Sequence, residues 1–365
     1  MLYRGFRTGF IGKCLFAMVL MVFLMSMTSA VSAKEAEYKW KFGQTSVRAS
    51  QGESYKLFCD LIGKYSDGRM EVEFFPDNQL GTLDEIFHAV QVGDVELCGV
   101  APYVNLVPGG MFNWMPWTVE TWEECKLAFA RPDGCLYFPM EEAMKEVGMH
   151  ILFTVSQGSY GVGNSVRPIK TPEDFKNLKM RVSSSLGSVR GLQNMASGTG
   201  MTVETVPWGD LYNALSKGVV DGCWSMWPSL VEERHYEVMK FYTSLDWMWD
   251  ANQVVVNKEV WDALPDDLKA AVQKAADEAE IHQYGIQERM ASEFQDYLKK
   301  QDDFEIYYPT DAERAMFREK ANALSIWEEL CTPWLDKHYP GQNMTEKILA
   351  ELEANREKVA AAKTK

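Results

Sequence analysis

Histidine is sparse in this chain, and His88, His150, His235, His282 and His338 fall at no spacing that gathers metal ligands. The cysteines form no C-x-x-C and have no close histidine neighbour, so neither a zinc site nor a dithiol redox pair is indicated. G-x-S-x-G and H-E-x-x-H are missing, and no paired carboxylates stand out. An enzyme would need a triad assembled from distant residues. Gly161 and Gly163 make half of a dinucleotide fingerprint, without the third glycine or a helix directly after it. No cofactor and no metal are expected. Positive charge is also in deficit: 37 Lys and Arg stand against 52 Asp and Glu, a net charge of −15. That balance argues against nucleic acid or an anionic membrane surface as partner. There is no internal repeat, no low-complexity linker and only one long apolar run.

That run, residues 14–25, follows Arg4, Arg7 and Lys13 and precedes the small residues Val31-Ser32-Ala33. Together they read as a secretory signal over residues 1–33, cleaved near Ala33. The run is too short for a transmembrane span, and Cys14 directly after Lys13 lacks the apolar lead of a lipid-anchoring site. Loss of the leader makes the mature chain three charges more negative, so a site for an anion has to be positive locally. An exported context permits disulfides. Cys98 and Cys223 read as small core residues in apolar strands, while Cys125 and Cys135 flank the turn at 131–134 and could close it; Cys59 and Cys331 stay open.

With 46% hydrophobic residues the chain can build one large or two medium cores. Residues 40–45 form a first strand, and Leu57, Phe58, Leu61, Ile62 and Tyr65 give a helical stripe over 50–65. A strand at 70–75, a turn at Pro76-Asp77-Asn78, a helix from residue 81 and a buried strand at 95–100 complete a β-α-β-α-β opening. Trp114, Trp117 and Trp122 then surround Pro116, either as a packed connection or with Trp117 as a pocket lip. Helices are expected over 120–129 and 138–147, a strand over 150–155 and a glycine-rich loop over 156–165 carrying Tyr160. Thr171 and Pro172 open a short helical turn that leads into an apolar strand at 178–182, which contains Arg181. A strand at 201–206 ends in Pro207-Trp208, and a helix follows over 210–217. Past Trp224 and Trp227 the chain returns through Trp247 and Trp249 to a strand at 253–257. From Pro265 a helical pattern continues to about residue 300, roughly 50 Å at 1.5 Å per residue. Alternating strands and helices define an α/β fold with parallel pairing, whose ligands sit beyond the strands' carboxyl ends. Arg181 and Trp208 belong at that edge. A guanidinium in an apolar strand needs a carboxylate, supplied either by a structural partner such as Asp174 or Glu204, or by a ligand. A planar cation beside a flat apolar wall suits a small carboxylate with an organic body.

Four motifs in order extend the reading: F-P-D-N-Q-L-G at 75–81, L-K-M-R-V at 178–182, V-P-W-G-D-L-Y-N-A-L-S-K-G-V-V-D-G at 206–222, and V-V-N-K-E-V-W-D-A-L-P at 255–265. Together they resemble the substrate-binding subunits of TRAP transporters, the tripartite ATP-independent periplasmic carriers of organic acids. The resemblance spans nearly all of the mature chain. It implies a two-lobe periplasmic-binding-protein-like fold with crossing strands and one long helix spanning both lobes, not a single undivided sheet. Residues 34–155 with about 248–285 would form lobe I, and 156–247 with about 286–365 lobe II. It further implies a monomer in the periplasm that binds a small organic acid and docks on the transporter's membrane subunits.

In that family the arginine of the motif matching Arg181 holds the substrate carboxylate, and an aromatic at the position of Trp208 lines the pocket. Tyr212 lies one helical turn on. Thr45, Asp84 and Pro102-Tyr103 would face the cleft from the other lobe, with Trp227 and Trp249 as further walls. This chain departs from the family at several points. Tyr160 stands where sialic-acid binders carry a second arginine, Asp84 where they carry another basic residue, and Ser183 where a proline is usual. One cation among many indoles favours a monocarboxylate with an apolar or aromatic body. The alternative is an amine caged by Trp208, Trp224, Trp227, Trp249 and Asp84; an exported enzyme is less favoured.

Overall fold

The computed structural model describes residues 35–45, 49–101, 106–107, 109–183 and 185–363. The signal sequence and Pro102-Tyr103 lie outside the described residues. In chain order the strands are β1 (Tyr38–Gly43), β2 (Met70–Phe75), β3 (Leu97–Val100), β4 (Met149–Asn164), β5 (Lys179–Val182), β6 (Thr202–Thr205), β7 (Gly222–Ser225), β8 (Phe241–Asn257) and β9 (Glu305–Tyr307). They form one hydrogen-bonded sheet in the order β2-β1-β3-β8-β4-β7-β5-β6, with β9 on β8. The ladder is therefore continuous, where separate sheets were expected. Its two halves meet within β4 and β8, whose pairing shifts register between Ile151 and Phe153, Ser156 and Gly158, and Tyr160 and Val162. Such bulges bend strands without ending them.

The glycine-rich stretch at 156–165 is the second half of β4, not a loop. A Cβ at Gly161 would stand 2.3 Å from the Thr243 carbonyl oxygen and 2.6 Å from the Tyr242 ring. At Gly163 it would meet the Met239 sulfur at 2.7 Å. These glycines admit neighbours close to a strand; only Gly158, at a register shift, takes a left-handed φ of 93°.

Strand direction places the cleft. β1, β2 and β3 run parallel to one another, β3 is antiparallel to β8, β8 to β4, and β4 to β7. The carboxyl end of β3 stands opposite Gln253 and that of β7 opposite Gly161. Both sets of parallel strands thus point their carboxyl ends at the middle of β4 and β8.

Four buried clusters support this frame. One joins Phe42, Phe58 and Ile62 to Leu268, Val272 and Ala275 of the long helix Asp266–Leu298, which runs unbroken for 33 residues. A second gathers Leu178, Met180, Trp224 and Trp247, and a third Leu211, Leu230, Tyr242 and Leu298. In the fourth, Trp327, Leu335 and Leu352 of the C-terminal helices pack with Phe112, Cys125 and Met140. All six described cysteines are buried free thiols, so Cys125 and Cys135 do not close their loop. No helix among the described residues is long and apolar enough to cross a membrane.

Candidate functional site

β5 carries Arg181 into the interior because Met180 and Val182 on either side are buried in its core, and Arg181 itself is only 2% exposed. Its Nε donates to the Val206 carbonyl at 2.9 Å, which sets the guanidinium plane. The guanidinium carbon lies 5.1 Å from the Trp208 ring centre and 5.4 Å from that of Trp224. Those two rings are 6.3 Å apart and tilted by 33°, so they form a shallow aromatic cradle for the cation. The structural partners considered from sequence are engaged or distant from burial: Asp174 accepts the Lys170 and Thr171 amides, and Glu204 is exposed on the edge strand. Cys223, paired with Arg181 in register, does not neutralise it. Burial pushes that thiol up to about 12, against the pull of the Arg181 charge.

The aromatic surround continues into the cleft floor. Tyr160 meets Trp224 edge-on at 4.6 Å, and Trp114 stands 5.7 Å from Trp224 and 6.3 Å from Tyr160. The Tyr160 hydroxyl donates to the buried Asp250 carboxylate at 2.8 Å. Behind Trp208, the buried His235 packs at 5.4 Å, with its Nε2 3.5 Å from Glu233. The indole N–H groups of Trp208 and Trp224 are buried and find no acceptor among the described residues.

Other residues singled out from sequence have contacts of their own. Ser183 follows β5 and accepts the Ser185 amide at 3.2 Å. Thr45 lies past the end of β1, its amide on Gln44 at 2.8 Å. Tyr212 donates to Glu237 at 3.2 Å. Trp227 packs on Tyr242 at 4.8 Å, and Trp249 on Trp122 at 5.0 Å, each in a different core from Trp224. Asp84 is exposed in the first turn of the helix Leu83–Val92. The five-residue amine cage is consequently not assembled. Trp227 opens a helix and Trp249 lies on β8, each drawn into its own core, and the faces of Trp208 and Trp224 already carry the Arg181 cation. Trp117 is packed into the connection, its amide on the Trp247 carbonyl at 2.8 Å.

Trp114, His235 and Asp250 are contributors that sequence reasoning passed over. Trp114 and His235 lie on short helical turns and Asp250 on β8, and only tertiary packing brings them beside Trp224, Trp208 and Tyr160. A surface hollow of about 560 Å³ lies on the C-terminal helices, but Glu328, Asp336 and Glu346 line it, so it offers an acid no cation. No cluster of metal-ligating side chains is present among the described residues.

Comparison with known proteins agrees with this architecture. The profile of the bacterial extracellular solute-binding proteins, family 7, matches residues 42–330. The chain belongs to that family. The C4-dicarboxylate-binding periplasmic protein DctP of Rhodobacter capsulatus is 26% identical over 306 residues, covering 82% of this chain and 84% of its own. The ectoine-binding periplasmic protein TeaA of Halomonas elongata is 24% identical over 236 residues, 64% of this chain and 68% of its own. A TRAP periplasmic solute-binding protein from Sulfurospirillum deleyianum, solved with bound succinate, superposes with a TM-score of 0.73 at 21% identity, over 86% of this chain and 99% of that one. The family is one of solute-binding proteins, and the fold is that of TRAP periplasmic solute-binding proteins.

Proposed function

We propose that this protein captures a small organic acid between two closing lobes in the periplasm and delivers it, as a monomer, to the membrane subunits of a TRAP transporter. The observation that carries the reading is Arg181, buried at the carboxyl end of β5 and held by Val206, Trp208 and Trp224. A guanidinium with its plane set in this way presents parallel N–H donors to one carboxylate, giving orientation as well as energy. Trp208, Trp224, Tyr160 and Trp114 supply the wall for the rest of the ligand. That wall favours a monocarboxylate with an apolar or aromatic body over a compact dicarboxylate. Ser183, Thr45 and Tyr212 are assigned to the rim. Closure removes water from the ion pair and strengthens it.

We assign residues 34–155 with about 248–285 to the first lobe and 156–247 with about 286–321 to the second. The apolar contacts of the C-terminal helices favour placing residues 323–363 with the first lobe.

Calorimetry of wild type and Arg181→Ala against phenylpyruvate, pyruvate, succinate, galactonate and choline tests the reading. An acid is expected to bind wild type without being chemically altered. Loss of the anchor should weaken it by about 2–5 kcal/mol, some thirty-fold to several thousand-fold. Equal binding by the variant removes the anchor, and tighter binding of choline than of every acid replaces the acid by an amine.

A further inference from the structure

The helix Ala49–Tyr65 begins without an acidic residue in its first turn, whereas the helices Leu83–Val92 and Asp311–Ala321 each carry two. The first amides of a helix have no partner within it, and the positive end of its dipole attracts an anion. Here the anion comes from the other side of the cleft. Glu232 ends the helix Trp227–Glu232. One of its carboxylate oxygens accepts the Ser50 amide at 3.2 Å, and the other accepts the Ser50 hydroxyl at 2.9 Å. Ser50 is buried, and 182 residues separate the pair in sequence. No local geometry creates this contact. It requires the β1–β3 half and the β5–β7 half to approach.

The element that carries Glu232 is also tied to the aromatic cradle. Its first residue, Trp227, stands three positions after Trp224, the end of β7 between them. Three positions beyond Glu232, His235 packs against Trp208. Both indoles touch Arg181. A displacement of the cradle is therefore passed to Glu232 through two short connections, one of them, Ser225-Met226, fully buried.

We infer that Glu232 is a positioning residue for capture: its carboxylate caps the opposing helix as the lobes meet and slows their separation. The inference rests on the two-lobe capture reading above. Ligand burial and this contact are made by the same motion, so each favours the other, reciprocally. The contact needs nothing from the ligand itself, which lets it serve any acid the pocket accepts.

Spin labels at Lys56→Cys and Lys217→Cys, both exposed positions on opposite halves, report the distance between them while the described native thiols stay buried. The distance distribution is read by pulsed electron resonance on the mature chain, without ligand and with millimolar phenylpyruvate. Glu232→Ala should lower the ratio of short to long distances roughly 2- to 30-fold, the range of a lost helix cap. Glu232→Gln should fall between. Ser50→Asp separates a positioning role from a merely structural one. It gives the helix its own anion yet repels Glu232, so thermal stability should hold or rise while the short-distance population falls. Identical distributions for wild type and Glu232→Ala in both arms overturn the inference; if that variant does not fold, Ser50→Asp decides it by the same criterion. A shifted distribution in Glu232→Ala, combined with unchanged affinity in Arg181→Ala, removes the anchor and leaves this contact standing.

Discussion

The Tyr160 hydroxyl reaches across the two crossing strands and donates to the Asp250 carboxylate at 2.8 Å, although Tyr160 pairs in register with Met248 and Asp250 with Gly158. The diagonal reach closes the cleft floor where the strands shift register. Asn252 adds donors at 3.3 Å to both carboxylate oxygens. A carboxylate 1% exposed needs such donors, because burial of an unsatisfied charge is costly.

Tyr160→Phe keeps the ring against Trp224 and removes only this donor. The expected loss is about 1–3 kcal/mol of unfolding free energy, measured by urea titration. A variant as stable as wild type would show that the other contacts of Asp250 suffice.

Trp208 and Trp224 should separate by phenotype. Trp224 is fully buried, so Trp224→Ala is expected to cost about 3–5 kcal/mol of stability through the cavity it leaves. Trp208 is only half-buried, so Trp208→Ala should fold nearly as well as wild type and instead change the ranking of bound acids. Denaturant melts paired with an acid panel distinguish the two. Equal stability losses would contradict the difference in burial.

Gly161→Ala tests whether 156–164 is strand or loop. A methyl group there meets the Thr243 carbonyl and the Tyr242 ring at distances no real Cβ shows. Overpacking of this kind costs about 1–3 kcal/mol or more. An exposed loop would tolerate the change, and an unaltered melting temperature would reinstate it.

The C-terminal helices carry a pH-dependent clasp. Burial pushes the Glu146 carboxyl up, but the Trp334 indole N–H and His338 outweigh it and hold it below the ordinary value of 4.5. A depressed carboxyl adds stability that is fully present above the unfolded-state value and is lost as pH falls through the folded one. Melting temperature should therefore fall below about pH 4.5 less steeply in Glu146→Gln than in wild type. Parallel profiles would place the acid sensitivity elsewhere.

What the sequence by itself determined is local or chemically singular. Thr82 with Glu85, Thr171 with Asp174 and Thr310 with Glu313 form capping boxes within three residues, and helix starts near them are legible without any partner. The pattern after Pro265 specifies one long helix because it continues without a strong breaker, and Gly285 meets nothing there that would demand a bend. Arg181 was conspicuous because a permanent charge in an apolar strand has few physical justifications. Tertiary structure decided what depends on strand pairing. Gly161 and Gly163 read as loop until Thr243, Tyr242 and Met239 are known to press on them. The indoles of Trp224, Trp227 and Trp249 look equivalent in sequence, yet of the three only Trp224 faces Arg181, because β7 carries it beside β5 while neighbouring cores claim the other two. Glu232 is one surface acid among many until Ser50 arrives from the opposite half. Residues far apart in sequence acquire their roles from register and closure, and neither is encoded in any short stretch of chain.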